Sequence, residues 1–454
     1  MYDVLVIGSG PGGYVAAIRA AQLGLSAACV EMAELGGVCL NWGCIPSKAL
    51  LKSAEVANTL RHVDDYGISL NEGFSIDFKA VVQRSRRVAK KSEKGVKYLF
   101  KKYGVTHIVG RGRLVEAGTV QVGEELYEAR HVIVATGARA RWFPGMEPDG
   151  ERILTYKDAI VRDEKPTSAI VLGAGAIGLE FAYFWHSMGV DVTLVEGADR
   201  LAPLEDPDLS AELQRSWKKL GVAFETGVLC ESVENTGGGT RVTLQDGRVL
   251  EAEVTLLALG VRANTEDLGL EALGVALDRG FVKTDSDCRT SVPGVYAIGD
   301  VAGPPMLAHK ASTEAHICVE RIAGHAHPDL DPQLIPAGTF CQPQMASVGK
   351  TEPQLIDEGV PYKVGRFPFA ANGKNRGTGA VEGFVKVLIG GPYDELLGAH
   401  IIGQDAVELL GELVMAKTGE LDAQTFLHAI HSHPSSSEAV MEAVANALGV
   451  SVHI

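Results

Sequence analysis

Two cysteines, Cys39 and Cys44, stand in the segment Gly36-Gly37-Val38-Cys39-Leu40-Asn41-Trp42-Gly43-Cys44-Ile45-Pro46-Ser47-Lys48. The run after Cys44 carries Ala49, Leu50, Leu51, Ala54, Ala57 and Leu60 at helical spacing, and Pro46 suits a first turn. Cys44 therefore falls near a helix N-terminus, where unpaired N–H groups favour a thiolate. Such a pair cycles between disulfide and dithiol. The plainer alternative is a structural disulfide or two buried thiols. Closing so short a loop removes little unfolded-state entropy, about 2 kcal/mol in the chain-entropy model. A metal centre lacks a second ligand pair, because none of Cys29, Cys230, Cys288, Cys318 or Cys341 supplies one. A second constellation lies near the C-terminus. His433 precedes a helical stretch opened by serines and Glu438. A carboxylate at that spacing orients a loop histidine and keeps it basic.

The elements that must position these groups come as a repeat. The apolar run Val4-Leu5-Val6-Ile7 leads into Gly8-Ser9-Gly10-Pro11-Gly12-Gly13, a helical pattern, and a strand Ser26 to Val30 ending at Glu31. The same order recurs in Ala169 to Leu172, then Gly173-Ala174-Gly175-Ala176-Ile177-Gly178, a helix, and a strand Asp191 to Val195 ending at Glu196. In such turns one glycine makes the bend, a second lets backbone approach a pyrophosphate, and a third lets helix pack on strand. The pyrophosphate sits at the helix N-terminus, and the acidic residue accepts from ribose hydroxyls. Two complete copies predict two bound dinucleotides. Glu196 repels a 2′-phosphate and so favours NAD over NADP at the second site. Two further strand ends, at Ala135-Thr136-Gly137 and Gly299-Asp300, read as closures of the first unit.

The chain has 454 residues, 46% hydrophobic, with 53 glycines and a formal charge of −15. Its length predicts roughly three or four domains. The acidic balance argues against nucleic acid as a general partner and against an anionic membrane, without excluding a local basic patch. Seven cysteines, mostly isolated, fit a reducing compartment. There is no apolar window of ~18 residues, and the first strand begins at Tyr2, which leaves no room for a targeting segment. A cytoplasmic location is the expectation.

With these residues assembled, the chain resembles the flavoprotein disulfide reductases, the family of glutathione reductase. Within it the resemblance is to the dihydrolipoamide dehydrogenases. It runs in order through Gly8–Gly13, Cys39/Cys44, Ala135-Thr136-Gly137, Gly173–Gly178, Asp300, Met306-Leu307-Ala308-His309-Lys310 and His431-Ser432-His433-Pro434 to Glu438. It implies an α/β fold: two Rossmann-like domains, for FAD and NAD, and a C-terminal α+β dimerisation domain. Cys39 is then the interchange thiol and Cys44 the thiol facing the flavin. Lys48 points at the flavin ring, and Glu180 pairs with it near the nicotinamide. His433, held by Glu438, serves as base from the second subunit of a homodimer. FAD is to lie along Gly8, Gly10, Gly12, Gly13, Glu31, Lys48, Thr136, Gly137, Asp300, Leu307, Ala308 and His309. NAD is to lie along Gly173, Gly175, Ala176, Ile177, Gly178, Glu196 and Gly260. No metal is implied.

The implied activity is oxidation of protein-bound dihydrolipoyl groups with reduction of NAD+. The implied partners are lipoyl domains and the core acyltransferase of 2-oxo acid dehydrogenase complexes, or a lipoylated H protein. The chain departs from the family pattern at Val38 and Trp42, and the loop Glu31 to Gly36 is slightly short. Another disulfide reductase of the family and a non-catalytic flavoprotein scaffold are the alternatives. Glu196 opposes the NADPH-dependent glutathione reductases. The absence of any Cys after Cys341 opposes mercuric and large thioredoxin reductases. The motifs predict borders at 1–143 for the FAD domain, 144–264 for the NAD domain, 265–334 for a central segment returning to the first, and 335–454 for the interface domain. Two helical stretches are expected in that last section.

Overall fold

The computed structural model describes residues 1–454. Its first sheet is parallel at its centre, in the order Thr106–Val109, Ala27–Glu31, Tyr2–Ile7, Glu125–Val134, with Val295–Ala297 paired to the last of these. Val4, Leu5 and Val6 are fully buried, as a strand covered on both faces requires. The strand Glu125–Val134 continues into an antiparallel meander with Thr119–Val122 and Gly112–Glu116.

A second, all-parallel sheet repeats the plan in the order Ala223–Thr226, Asp191–Glu196, Ser168–Leu172, Val254–Leu257, Ile153–Leu154. It carries a three-stranded antiparallel flap, Cys230–Asn235, Thr240–Leu244 and Val249–Ala252. Two short antiparallel strands, Ala138–Ala140 and Val261–Ala263, carry the chain out of the first unit and back.

The C-terminal section is a five-stranded antiparallel sheet, ordered Ala337–Thr339, Gln344–Gly349, Glu395–Gly403, Gly383–Gly390, Tyr362–Pro368. The helices Ala406–Thr418 and Glu438–Ala447 share one apolar core with this sheet. The two expected helical stretches are joined by three short helices, Glu352–Asp357, Gly373–Thr378 and Ala423–Leu427, each too brief to show apolar periodicity. Buried Lys386 ties this sheet to the second unit, donating to Asp206 (2.9 Å), Asp208 (2.8 Å) and Glu352 (2.6 Å).

The helix Pro11–Gln22 starts at Gly10 and the helix Ala176–Ser187 at Gly175, in nearly the same extended backbone geometry. Neither cap makes a side-chain hydrogen bond. Their first N–H groups are therefore left for whatever occupies the space in front. A Cβ on Gly13 would lie 1.9 Å from the Gly8 carbonyl, and one on Gly178 1.9 Å from the Gly173 carbonyl. The third glycine of each turn is thus required by close packing.

Candidate active site

Cys39 and Cys44 form a disulfide. Cys39 sits in the middle of a short helix, Gly37–Asn41, and Cys44 begins the helix Cys44–Arg61. The segment is set directly on the first glycine turn. Gly36 donates its amide to the Ser9 carbonyl at 3.0 Å, and a Cβ on Gly37 would lie 2.7 Å from the Gly10 Cα. Both cysteines line one continuous cavity of about 1870 Å³ that also takes in Gly8, Gly10, Gly173 and Gly175. That is about twice the upper range for a single small-ligand pocket.

Lys48, one turn beyond Cys44, lines the same cavity. Its Nζ lies 2.7 and 2.8 Å from the two carboxylate oxygens of Glu180. Glu180 is buried and also accepts from the Ser47 hydroxyl (3.2 Å) and the Phe340 amide (3.2 Å). The Phe340 ring sits 4.3 Å beneath the ammonium. One cation is thereby fixed beside the disulfide, its charge balanced by a carboxylate from the second unit. Behind this pair the Cys341 thiol is fully buried, and burial, with Glu180 nearby, raises its pKa well above the usual thiol range.

Trp42, between the cysteines, has cations on its ring: the Arg86 guanidinium and the Lys157 ammonium each lie 4.7 Å from it. Its indole N–H donates to Glu34 at 3.3 Å. The departure at this position thus clamps the redox loop between the two units.

The two strand-end carboxylates behave alike. Glu31 accepts from the Ser9 amide (2.8 Å), the Ser9 hydroxyl (2.7 Å) and the Ala33 amide (2.9 Å). Glu196 accepts from the Ala174 amide (2.6 Å) and the Ala198 amide (2.8 Å). Each pins its glycine turn while still lining the cavity. A Cβ on Gly10 or on Gly175 would meet no protein atom within 4 Å. The protein's own packing does not call for glycine there, so the open cradle and its uncapped N–H groups fit an anionic diphosphate in both turns.

The remaining predicted cavity residues come together. Thr136 donates its hydroxyl to the Asn264 carbonyl at 2.7 Å, and the Asn264 side chain donates back to the Thr136 carbonyl at 2.9 Å. Gly137, Gly260, Ala176 and Ile177 line the space between the units, and Leu307, Ala308 and His309 open the helix Ala308–Ile322 onto it. His309 Nε2 is engaged by the Pro336 carbonyl at 2.7 Å. Burial raises the Asp300 carboxyl pKa against the pull of Lys310. Lys310, the last residue of the Met306–Lys310 segment, and Glu314, which the sequence did not single out, hold this turn. Glu314 accepts from the Gly299 amide (2.7 Å) and from buried Lys310 (2.9 Å).

His433 and Glu438 pair with each other at 2.9 Å but lie outside this cavity, with His433 exposed. Burial pushes the Glu438 carboxyl up, but the Ser435 amide at 2.8 Å and His433 outweigh it and hold its pKa below the usual value. A single chain therefore completes the disulfide, cation and glycine-turn constellation and presents the histidine elsewhere. His431 is turned inward to Glu412, at 3.2 Å.

Residues 2–315 match the model of pyridine nucleotide-disulphide oxidoreductases, and residues 335–444 match the dimerisation domain of the same family. The chain belongs to that family. A dihydrolipoyl dehydrogenase of Rhizobium etli is 47% identical over 99% of this chain and 98% of its own length. One of Chlorobaculum tepidum is 45% identical over 98% and 97%. The crystal structure of LpdA from Mycobacterium tuberculosis superposes with a TM-score of 0.92 at 29% identity, covering 97% of this chain and 99% of that one. This oxidoreductase has the expected α/β plan of two nucleotide-type units followed by a dimerisation domain. No helix is long and apolar enough to cross a membrane.

Proposed function

We propose that this oxidoreductase is a homodimeric, NAD-dependent dihydrolipoyl dehydrogenase. It oxidises a dihydrolipoyl dithiol to the cyclic disulfide and reduces NAD+ to NADH with release of one proton. The observation that carries the reading is the Cys39–Cys44 disulfide opening onto one cavity with both glycine turns and the Lys48–Glu180 pair.

In this reading a substrate thiolate attacks Cys39 sulfur, forming a mixed disulfide and releasing Cys44 as a thiolate. The second substrate thiol then attacks the substrate sulfur of the mixed disulfide. The cyclic disulfide leaves, and Cys39 is released as a thiolate. The partner subunit's His433, oriented by Glu438, takes the substrate proton and then faces the thiolate as a cation. The helix N-terminus and Lys48 stabilise the negative charge on Cys44. FAD along the first glycine turn supplies the two-electron relay from the dithiol to NAD+ along the second. Glu196 excludes a 2′-phosphate by charge. Residues 1–143 with 265–334 form the FAD unit, 144–264 the NAD unit and 335–454 the interface. Lipoylated carrier proteins of a 2-oxo acid or glycine-cleaving complex are the partners, and five free cysteines fit a cytoplasmic setting.

Anaerobic addition of dihydrolipoamide to the purified protein, followed by NAD+, tests this. The expected result is a long-wavelength thiolate–flavin absorbance, then NADH. A flavin that ignores dihydrolipoamide but responds to NADH overturns the substrate class, and a protein that binds no flavin overturns the whole reading.

A further inference from the structure

The helix Phe78–Tyr103 has no part in the site described so far. Asp77 caps it, accepting from the Ala80 amide at 2.9 Å, and Gly104 ends it in a left-handed turn. In 26 residues it carries ten Lys and Arg and one Glu, in a chain of formal charge −15. Val82, Ser85, Ala89, Val96 and Phe100 form its buried face. At about 100° per residue, Lys97, Lys90, Lys101, Lys94, Arg87 and Lys91 fan from the edge of that face round to its opposite side. All six are exposed, and none has a carboxylate within 4.0 Å. Like charges three and four residues apart weaken a helix, so this face costs the fold stability. Tyr98 stands in its midst, 65% exposed. Tyrosine is enriched at protein interfaces, and the cations around it present a field complementary to an acidic surface.

The inner edge of the helix is fastened to the redox segment. Arg84 donates to the Ala49 carbonyl at 2.7 Å, and Arg86 to the Asn41 carbonyl at 2.5 Å. Arg86 also covers Trp42 between the cysteines. The basic face is thus rigidly joined to the loop that a protein-borne dithiol must reach. The excess of carboxylates over the rest of the chain disfavours a polyanion longer than the helix. A compact acidic domain meets the helix alone.

We propose that the outer face of helix Phe78–Tyr103 docks an acidic protein domain that delivers the dithiol to Cys39–Cys44; this rests on the function proposed above. The test compares two reduced substrates on the holoenzyme: free dihydrolipoamide, and a dihydrolipoylated carrier domain with an acidic surface. The enzyme carries Lys90→Glu, Lys91→Glu, Lys94→Glu and Lys97→Glu together, or the same four changes to Gln. At an ionic strength of about 0.01 M, where the Debye length is ~30 Å, kcat/KM for the carrier falls about tenfold or more in the Glu variant. The Gln variant falls between. The rate with free dihydrolipoamide is unchanged and reports that the variants fold. At about 1 M salt, where the Debye length is ~3 Å, the difference closes. Converting the carrier's own carboxylates near its lipoyl-lysine to amides lowers its rate with the unaltered enzyme by a similar factor.

Equal loss on both substrates, or no loss on the carrier with either the altered enzyme or the altered carrier, overturns the docking surface. Binding of a short DNA duplex that depends on the four lysines, with carrier rates intact, reassigns the face to nucleic acid. An unaltered enzyme that turns over neither substrate overturns the function itself, and the docking proposal with it.

Discussion

Glu180→Gln isolates the charge balance beside the disulfide. The amide keeps one acceptor oxygen for the Phe340 amide, turns its NH2 toward the Ser47 hydroxyl oxygen, and removes the negative charge facing Lys48. Lys48 and Cys44 are one helical turn apart, so their side chains lie ~6 Å from each other. A unit charge at that distance, at an effective dielectric of about 20, is worth about 2.8 kcal/mol. The Lys48 side chain is 33% exposed, so solvent screening is taken to halve that value. About 1.4 kcal/mol remains, equivalent to one pKa unit. In the dithiol form, then, freeing the Lys48 cation favours the Cys44 thiolate over the thiol by about tenfold at a fixed pH. Stability falls by about 1–2 kcal/mol as charge-assisted bonds give way to neutral ones. The assay is a pH titration of the long-wavelength thiolate–flavin absorbance in the two-electron-reduced holoprotein, with Lys48→Met alongside. The midpoint moves down in Glu180→Gln and up in Lys48→Met. A midpoint that stays put or rises in Glu180→Gln, or equal signs in the two variants, refutes the electrostatic account.

Gly10→Ala and Gly13→Ala separate ligand approach from packing. The first variant is purified without flavin and melts with the flavin-stripped parent, whereas the second melts well below that apoprotein, by several kcal/mol, because its methyl would meet the Gly8 carbonyl. Equal melting temperatures would contradict this. His433→Gln lowers kcat/KM for dihydrolipoamide by about 10² to 10⁴ and leaves NADH oxidation by an artificial acceptor intact; parallel losses would place the histidine outside the thiol chemistry. Arg139 holds the Glu266 carboxyl at about 2, below its usual value. A depressed carboxyl contributes stability above the unfolded value near 4.3 and loses it as pH falls toward about 2. Because the pair is largely exposed, Glu266→Gln costs only ~0.2–1 kcal/mol at neutral pH, and urea melts of variant and parent should converge in acid.

The parts legible in the sequence are those whose signal is local. The glycine turns, the cysteine segment and the strands Gln344–Gly349 and Glu395–Gly403 announce themselves within a few residues. The helix Phe78–Tyr103 carries apolar spacing at Val82, Ala89, Val96 and Phe100, but nothing in that spacing ties it to the cysteine segment that Arg84 and Arg86 reach. The backbone partners of Glu31 and Glu196 were also hidden, since a main-chain amide is donated by any residue type. The stitch between Thr136 and Asn264 joins residues 128 positions apart, beyond any window. Glu314, the partner of Lys310, escaped for a different reason. Their spacing reads as an ordinary surface pair on a helix, and only the turn after the return strand Val295–Ala297 engages them, through the Gly299 and Gly303 carbonyls and the Gly299 amide.

That return strand also sets an order of events during synthesis. Val295 pairs with Val132, so the first sheet gains its last parallel strand only after the whole intervening unit has been made. At about 5–20 residues per second this takes on the order of 10–30 s. Throughout that interval the apolar run Val132-Ile133-Val134 presents an open edge, able to template a wrong partner. The inserted unit has its own parallel sheet and closes on itself in the meantime. The nascent chain is thus finished from the inside outward, and chaperone demand should peak just before residue 295 leaves the ribosome.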